Sequence, residues 1–138
     1  MDSAGQEKFK SIIETCYKKS DCIILVYDIS NRSSFYECKN YYCEEIKKRC
    51  KINIKVMLIG NKKDLETERQ VSFKEANDFA LLNNYIYMET SCLLNENVFE
   101  AFEKIIEITE EDIRKRQLIL LENTSNKKTK TKKKGCCE

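Results

Sequence analysis

The sequence of 138 residues contains no histidine and has three glycines, Gly5, Gly60 and Gly135. Without histidine or any Cys-x-x-Cys pair, it excludes the usual zinc sites and the catalytic triads that use histidine. A phosphate-binding Gly-x-x-x-x-Gly-Lys-Ser/Thr loop needs two glycines five positions apart, which these three do not supply. No apolar run approaches the roughly 20 residues of a transmembrane helix.

The composition, with 41% hydrophobic residues, predicts one soluble domain with a sizeable core. The formal net charge of +2 is unevenly distributed along the chain. Residues 127–138 hold six lysines and one glutamate, a charge of +5, which leaves −3 for the rest of the chain. We therefore expect a slightly acidic body followed by a basic tail.

The eight cysteines allow a disulfide framework, but no secretory signal pattern opens the chain and several cysteines fall within apolar or helical patterns. Free thiols in a reducing compartment are the better prediction. These cysteines are Cys16, Cys22, Cys38, Cys43, Cys50, Cys92, Cys136 and Cys137.

The hydrophobic pattern predicts strands over 22–28, 54–60 and 85–91. It predicts helices over 9–17, from Ser33 or Ser34 to about Cys50, from Ser72 to Asn83 or Asn84, and for about five turns from Asn97. This alternation indicates an α/β fold with a mostly parallel sheet flanked by helices. We expect the first strand to be central and covered on both faces, because it is continuously apolar.

Two finer expectations concern the helices and the tail. The helix that ends near Cys50 is expected to bury Phe35, Cys38, Tyr42 and Ile46 on one side. From about Asn123 the chain is rich in Ser, Thr, Asn and Lys, so we expect a disordered linker there.

Polar side chains follow all three predicted strands, at the sheet edge where parallel sheets bind ligands. Asn61-Lys62-Lys63-Asp64 follows the second strand, and its chemistry indicates guanine. The Asp64 carboxylate can accept hydrogen bonds from the ring N–H and the exocyclic amine of guanine, whereas adenine offers no matching pair of donors. Asn61 would tie neighbouring loops together, and the methylene stem of Lys62 would cover the ring. The alternative is a polar loop without a ligand.

A second polar motif, Asp2-x-Ala4-Gly5-Gln6, opens the chain. Its residue types suit the phosphate end of a nucleotide. Asp2 can hold Mg²⁺ through water, Gly5 lets a backbone N–H approach a γ-phosphate, and Gln6 can orient the attacking water. The alternative is an exposed, frayed terminus.

Taken together, the segments 2–7, 61–64 and 89–92 resemble the Ras superfamily of small GTPases. Within it, 8–13 and 25–30 are similar to switch II and the following strand of the Rab family. The resemblance covers residues 2 to about 117. It implies an incomplete P-loop GTPase fold over 1–117, followed by a flexible basic tail over 118–138.

By this resemblance the chain would bind GTP or GDP with Mg²⁺. Asp2, Ala4, Gly5 and Gln6 would serve the phosphates, the metal ion and hydrolysis, with Gln6 as the catalytic residue. Asn61, Lys62 and Asp64 would bind guanine, with help from Ser91 and the backbone N–H of Cys92. Cys92 stands where the family has Ala, and Leu93 stands where it has a Lys that covers the base.

Rab proteins carry a phosphate loop and switch I before the Asp-x-Ala-Gly-Gln motif, and this sequence does not include them. Without those phosphate and Mg²⁺ contacts we do not expect the chain by itself to hydrolyse GTP. We expect either a partial copy of a complete Rab or a genuine truncated product. In either case the strand over 22–28 would have an exposed apolar edge.

The terminal pair Cys136-Cys137 is similar to Rab geranylgeranylation signals. Two lipid chains and the lysine-rich tail would anchor the protein to an anionic membrane. A solvated or nuclear-targeting lysine run is the alternative.

The resemblance thus implies a switch in vesicle traffic on the cytoplasmic face of an intracellular membrane, cycling with the cytosol. Its partners would be effectors, exchange factors, GTPase-activating proteins and an escort protein, and not nucleic acid. The alternatives are a catalytically inactive, lipid-anchored module that binds effectors or escort proteins, and a cytosolic guanine-binding domain without lipid.

Overall fold

The computed structural model describes residues 17, 19–51 and 53–131, with the side chains of 124–131 excepted. Its centre is a three-stranded sheet of β1 (Cys22–Asp28), β2 (Lys55–Asn61) and β3 (Ile86–Glu89) in the order β1-β2-β3. Both strand pairs are parallel. The predicted α/β architecture, with a mostly parallel sheet flanked by helices, is confirmed.

The prediction that β1 is central and covered on both faces is wrong. Among the described residues β2 is the central strand, and β1 forms an edge of the sheet. Val26 of β1 is 56% exposed and lies beside an apolar groove of about 160 Å³ between β1 and the last helix. A continuously apolar strand predicts burial only where neighbours cover both faces, and none of the described elements covers Val26.

Two short helices, α1 (Arg32–Glu37) and α2 (Cys43–Arg49), are joined by a single π-helical turn over Cys38–Tyr42. The helical region ends at Arg49, with Cys50 as its C-cap, close to the predicted end at about Cys50. The N-cap residue of α1 is Asn31 rather than Ser33 or Ser34. The Asn31 side chain accepts hydrogen bonds from the backbone N–H groups of both serines.

The π turn also corrects the predicted buried side of this helical region. Because it contains one residue more than an α-helical turn, it brings Cys43 into the core and leaves Tyr42 38% exposed. Phe35, Cys38 and Ile46 are buried as expected. This face of the sheet forms the larger core, which also contains Leu25, Tyr27, Ile29, Val56, Leu58, Val71, Ala76 and Ala80.

The third helix, α3 (Phe73–Leu82), begins after Ser72, whose side chain accepts a hydrogen bond from the Glu75 backbone, as the sequence predicts. The fourth, α4 (Val98–Thr131), covers the other face of the sheet. Its Ala101 and Ile105 pack with Met57 and Ile59 of β2.

Helix α4 (Val98–Thr131) is much longer than the predicted five turns, and it continues where a disordered linker was expected from Asn123. Its middle is rich in strong helix formers and carries i,i+4 ion pairs such as Glu110 with Arg114 and Asp112 with Arg116. These local interactions extend the helix beyond its contact with the sheet. In the described part of the chain, no helix is both long enough and apolar enough to span a membrane.

Candidate functional site

The polar residues predicted to meet at one edge of the sheet do so. In the parallel register Asp28 pairs with Asn61, and Gly60 pairs with Glu89. The loops that follow β2 and β3 therefore start side by side. Backbone hydrogen bonds join them, from Thr90 to Gly60 at 2.9 Å and from Lys63 to Thr90 at 3.0 Å.

The side chain of Asp64 is fixed by the loop after β3. The buried hydroxyl of Ser91 donates to Oδ1 of Asp64 at 2.5 Å and accepts from the backbone N–H of Leu94 at 3.1 Å. Among the described residues no other hydrogen bond to the Asp64 carboxylate is present, so Oδ2 can accept from a ligand. A carboxylate held in this way can bind two adjacent N–H donors.

Asn61 joins the two loops by its side chain, as the sequence predicted. Its Oδ1 accepts a hydrogen bond from the Thr90 hydroxyl at 3.2 Å. An ion pair between Lys63 and Glu96 links the loops a second time. Ser91 and Glu96 also exchange two backbone hydrogen bonds, at 2.9 and 3.0 Å, which closes the second loop into a tight turn.

Beneath the loops lies a nearly buried ionic network centred on Glu89 and Arg69. Both guanidinium N–H2 groups of Arg69 donate to Glu89, each at 2.8 Å, and the Tyr87 hydroxyl donates to Glu89 at 2.7 Å. The series of hydrogen bonds continues to Tyr27, whose hydroxyl lies 2.8 Å from that of Tyr87. Glu66 binds the outer side of Arg69 at 2.6 and 2.9 Å.

The network sets the ionisation of its members. Burial disfavours the charged form of Glu89, but hydrogen bonds from Arg69 and Tyr87 outweigh burial and lower its pKa. The same hydrogen bonds to Glu89 and Glu66 raise the pKa of Arg69. Burial raises the pKa of Tyr27 to about 12. The network therefore holds a fixed ion pair and two neutral phenols under the start of the Thr90 loop at neutral pH.

The remaining residues predicted to contact a base lie at the surface of the same edge. Lys62 has left-handed backbone angles, with φ 64° and ψ 39°, and its ammonium group lies 2.6 Å from Oδ2 of Asp28. Cys92 is exposed as a free thiol, and the Leu93 side chain is 81% exposed. Lys62 and Cys92 thus lie in the same two loops as Asp64 and Ser91.

Several predicted functional residues lie outside the described residues. They are Asp2, Ala4, Gly5 and Gln6 at the start of the chain and Cys136 and Cys137 at its end. Their assigned roles in binding phosphate and Mg²⁺, in hydrolysis and in lipid attachment therefore stay predictions. Within the described residues, no cluster of three or more Cys, Asp or Glu side chains is arranged to hold a metal ion.

The sequence-based search missed Arg69, Glu96 and Thr90 as supports of the site. A signal was present for Arg69, since a glutamate that ends an apolar strand needs a cationic partner when it is buried. The sequence offers 25 lysines and arginines as candidates, and spacing alone does not select among them. Thr90 and Glu96 act through contacts between loops, which have no periodic pattern.

Comparison with known proteins assigns the family. The family model described as "Ras family" matches residues 1–111. The Ras-related protein Rab-2B of Dictyostelium discoideum is 46% identical over 106 residues, which are 77% of this chain and 52% of that protein. Rab-4A of Bos taurus is 43% identical over 101 residues, 73% of this chain and 46% of that protein.

Human Rab-4B is 44% identical over 103 residues, which cover 75% of this chain and 48% of that protein. The chain thus spans about half the length of the curated relatives it matches. Its parallel sheet with flanking helices is consistent with an incomplete Ras-like P-loop GTPase fold. The similarity covers both the sheet and the loops that carry Asn61, Asp64 and Ser91, and on this evidence the chain belongs to the Ras family.

Proposed function

We propose that this protein is a Rab-like, guanine-nucleotide-binding switch that acts in membrane traffic. The observation that carries the proposal is the Asp64 carboxylate, which Ser91 fixes by Oδ1 while Oδ2 is left to a ligand. Guanine presents a ring N–H and an amine side by side, and a carboxylate in this position can accept from both. Membership in the Ras family supports GTP and GDP as the nucleotides.

Asn61, Lys62 and the Ser91-Cys92 backbone complete the proposed base site. Asn61 keeps the two loops together through Thr90, and the stem of Lys62 covers one face of the ring. Leu93 takes the place of a covering lysine on the other side, and its exposed apolar side chain can pack on the base. In the proposed function Mg²⁺ supplies charge stabilisation at the phosphates, which Asp2, Gly5 and Gln6 would serve.

The proposed switch acts at the cytoplasmic face of an intracellular membrane. Geranylgeranyl groups on Cys136 and Cys137 would anchor it, and the lysines of residues 127–134 would add attraction to anionic lipids. Effectors, exchange factors, GTPase-activating proteins and an escort protein are the proposed partners. The family and the Rab relatives support this assignment.

A second candidate is a lipid-anchored binding module without hydrolysis. It is supported by the described residues, since the contacts of Asn61, Asp64 and Ser91 at the sheet edge account for binding of a base. Both candidates share the site at Asp64. They differ in phosphate release from GTP by the complete protein, which the switch carries out and the module does not.

The test is titration calorimetry of the purified 138-residue chain with GDP and ADP in Mg²⁺, followed by Asp64→Asn. We expect GDP to bind and ADP not to bind. Asp64→Asn should weaken GDP about 100-fold or more, since each lost charge-assisted bond contributes about 1.5–3 kcal/mol. The amide should instead favour xanthosine diphosphate, whose carbonyl accepts from an N–H2 group.

Asp78→Asn is the matched control, because it makes the same chemical change on an exposed position of α3 away from the site. It should leave both affinities unchanged. Equal affinity for GDP and ADP, or the same GDP affinity in Asp64→Asn as in the wild type, would contradict the proposed function.

A further inference from the structure

The ion pair between Asp28 and Lys62 connects the ends of two neighbouring strands. Asp28 is the last residue of β1, and Lys62 follows Asn61, the last residue of β2. The two carboxylate oxygens of Asp28 have separate partners. Oδ1 accepts from the backbone N–H and the hydroxyl of Ser30, at 2.8 and 2.6 Å, while Oδ2 accepts from the Lys62 ammonium at 2.6 Å.

Ser30 makes this carboxylate a fixed anchor. With Oδ1 bound twice, the carboxylate cannot rotate to follow a mobile ammonium group, so Lys62 must come to Oδ2. The Asp28 side chain is 20% exposed and that of Lys62 is 53% exposed. Asp28 is therefore the fixed and more buried partner, and it holds the more exposed side chain of Lys62.

The backbone of Lys62 contributes to the same arrangement. Its left-handed conformation, with φ 64°, turns the chain after β2 so that the side chain spans from the end of β2 to the end of β1. Asp64, two residues on, lies toward β3 through its bond to Ser91. The loop thus directs its lysine toward the end of β1 and its aspartate toward the loop after β3.

We infer that Asp28 is a positioning residue for guanine, which holds the ammonium of Lys62 so that the methylene stem forms a fixed wall of the base site. This inference rests on the proposed function. Asp28 does not contact the base. It sets how tightly any base is covered, whereas Asp64 sets which base is accepted.

The variants Asp28→Asn, Lys62→Met and their combination test this inference in the full chain. Asparagine retains an acceptor for Ser30 but turns an N–H2 donor toward Lys62, so it removes the ion pair alone. Methionine retains most of the stem and removes the charge. Asp21→Asn is the matched control, because Asp21 pairs with Lys51 at 3.8 Å just before β1, at the opposite end of the strand.

The first measurement needs no nucleotide. Reductive methylation of lysines, mapped by mass spectrometry, should modify Lys62 more slowly in the wild type than in Asp28→Asn. Asp21→Asn should leave its rate unchanged. An equal Lys62 rate in wild type and Asp28→Asn would overturn the inference, since the anchor would then not exist in solution.

The second measurement is the Kd for GDP and for guanosine. We expect Asp28→Asn to weaken both by about two- to fivefold, as for loss of a partly exposed ion pair, with the preference for GDP over ADP unchanged. In the Lys62→Met background Asp28→Asn should have no further effect, because Asp28 acts through the lysine.

The outcomes separate the inference from the proposed function. If the wild type binds GDP and Asp28→Asn binds it equally well, the inference fails and the function stands. If Asp28→Asn weakens binding as much in the Lys62→Met background as alone, Asp28 acts by another route and the inference fails. If the wild type binds no guanine nucleotide, the proposed function fails, and the role of Asp28 fails with it.

Discussion

Replacing Glu89 by glutamine removes the central charge of the network beneath the candidate site. The Glu89 side chain is 6% exposed and that of Arg69 is 15% exposed, so the Arg69 guanidinium would lose its main counter-charge in a poorly hydrated position. Breaking a buried ion pair from one side costs about 3–5 kcal/mol. We expect about 3 kcal/mol, because Glu66 still binds Arg69 and the glutamine oxygen still accepts a hydrogen bond.

The effect has a defined pH dependence. The pKa of Glu89 is lower in the folded protein than its ordinary value of 4.5. A carboxyl group whose pKa is lower in the folded state stabilises that state. The contribution is complete above the pKa of the group in the unfolded state, and it is lost as the pH falls through the pKa in the folded state. The free-energy difference between wild type and Glu89→Gln should therefore be constant above about pH 6 and shrink below about pH 4.5.

The assay is urea denaturation followed by circular dichroism at several pH values, with unfolding free energies from linear extrapolation. Glu66→Gln is the matched control, since it removes a carboxylate from the same arginine at a position that is 64% exposed. It should cost much less than Glu89→Gln. Equal losses for the two variants, or a Glu89→Gln loss that persists unchanged at pH 3, would refute the reasoning.

Two further predictions concern packing and thiol reactivity. Gly60→Ala should destabilise the fold by about 1–3 kcal/mol in urea denaturation. A Cβ at this position would lie 2.9 Å from the Tyr27 hydroxyl and 3.0 Å from the Tyr87 hydroxyl. An unchanged unfolding midpoint would contradict this prediction. A short pulse of iodoacetamide at pH 8 should label exposed Cys92 in the folded chain and spare Cys38, which is 3% exposed and whose pKa burial raises to about 11. Similar labelling of both cysteines by mass spectrometry would count against the fold.

Local sequence patterns predicted the elements of this fold and the edge where the polar residues meet. Strand β2 and the start of α3 at Ser72 follow from apolar runs and capping residues. The position of Asp64 beside Ser91 follows from parallel pairing, which brings the carboxyl ends of strands together. These features depend on short stretches of chain and on one topological rule.

The features that the sequence did not predict depend on contacts between distant segments or on a choice between neighbouring residues with similar capping propensity. Asn31 competes with Ser33 and Ser34 for the same cap, and hydrogen-bond geometry decides between residues of similar propensity. The pairing of Arg69 with Glu89 joins the segment before α3 to the end of β3, 20 positions further along the chain. The apolar composition of β1 predicted a central strand, whereas the resemblance to the complete family fold predicted its exposed edge, which the sheet order confirms among the described residues.

The π turn over Cys38–Tyr42 has a consequence for how the chain length can vary. The Cys43 N–H donates to the Cys38 carbonyl, so the turn contains one residue more than an α-helix needs between those two buried cysteines. Deleting one of the exposed residues between them would convert the turn into ordinary α-helix without moving α1 or α2 relative to each other. In a regular helix the same deletion would rotate every later residue by about 100°. This turn is therefore a place where the chain can lose a residue and keep its core.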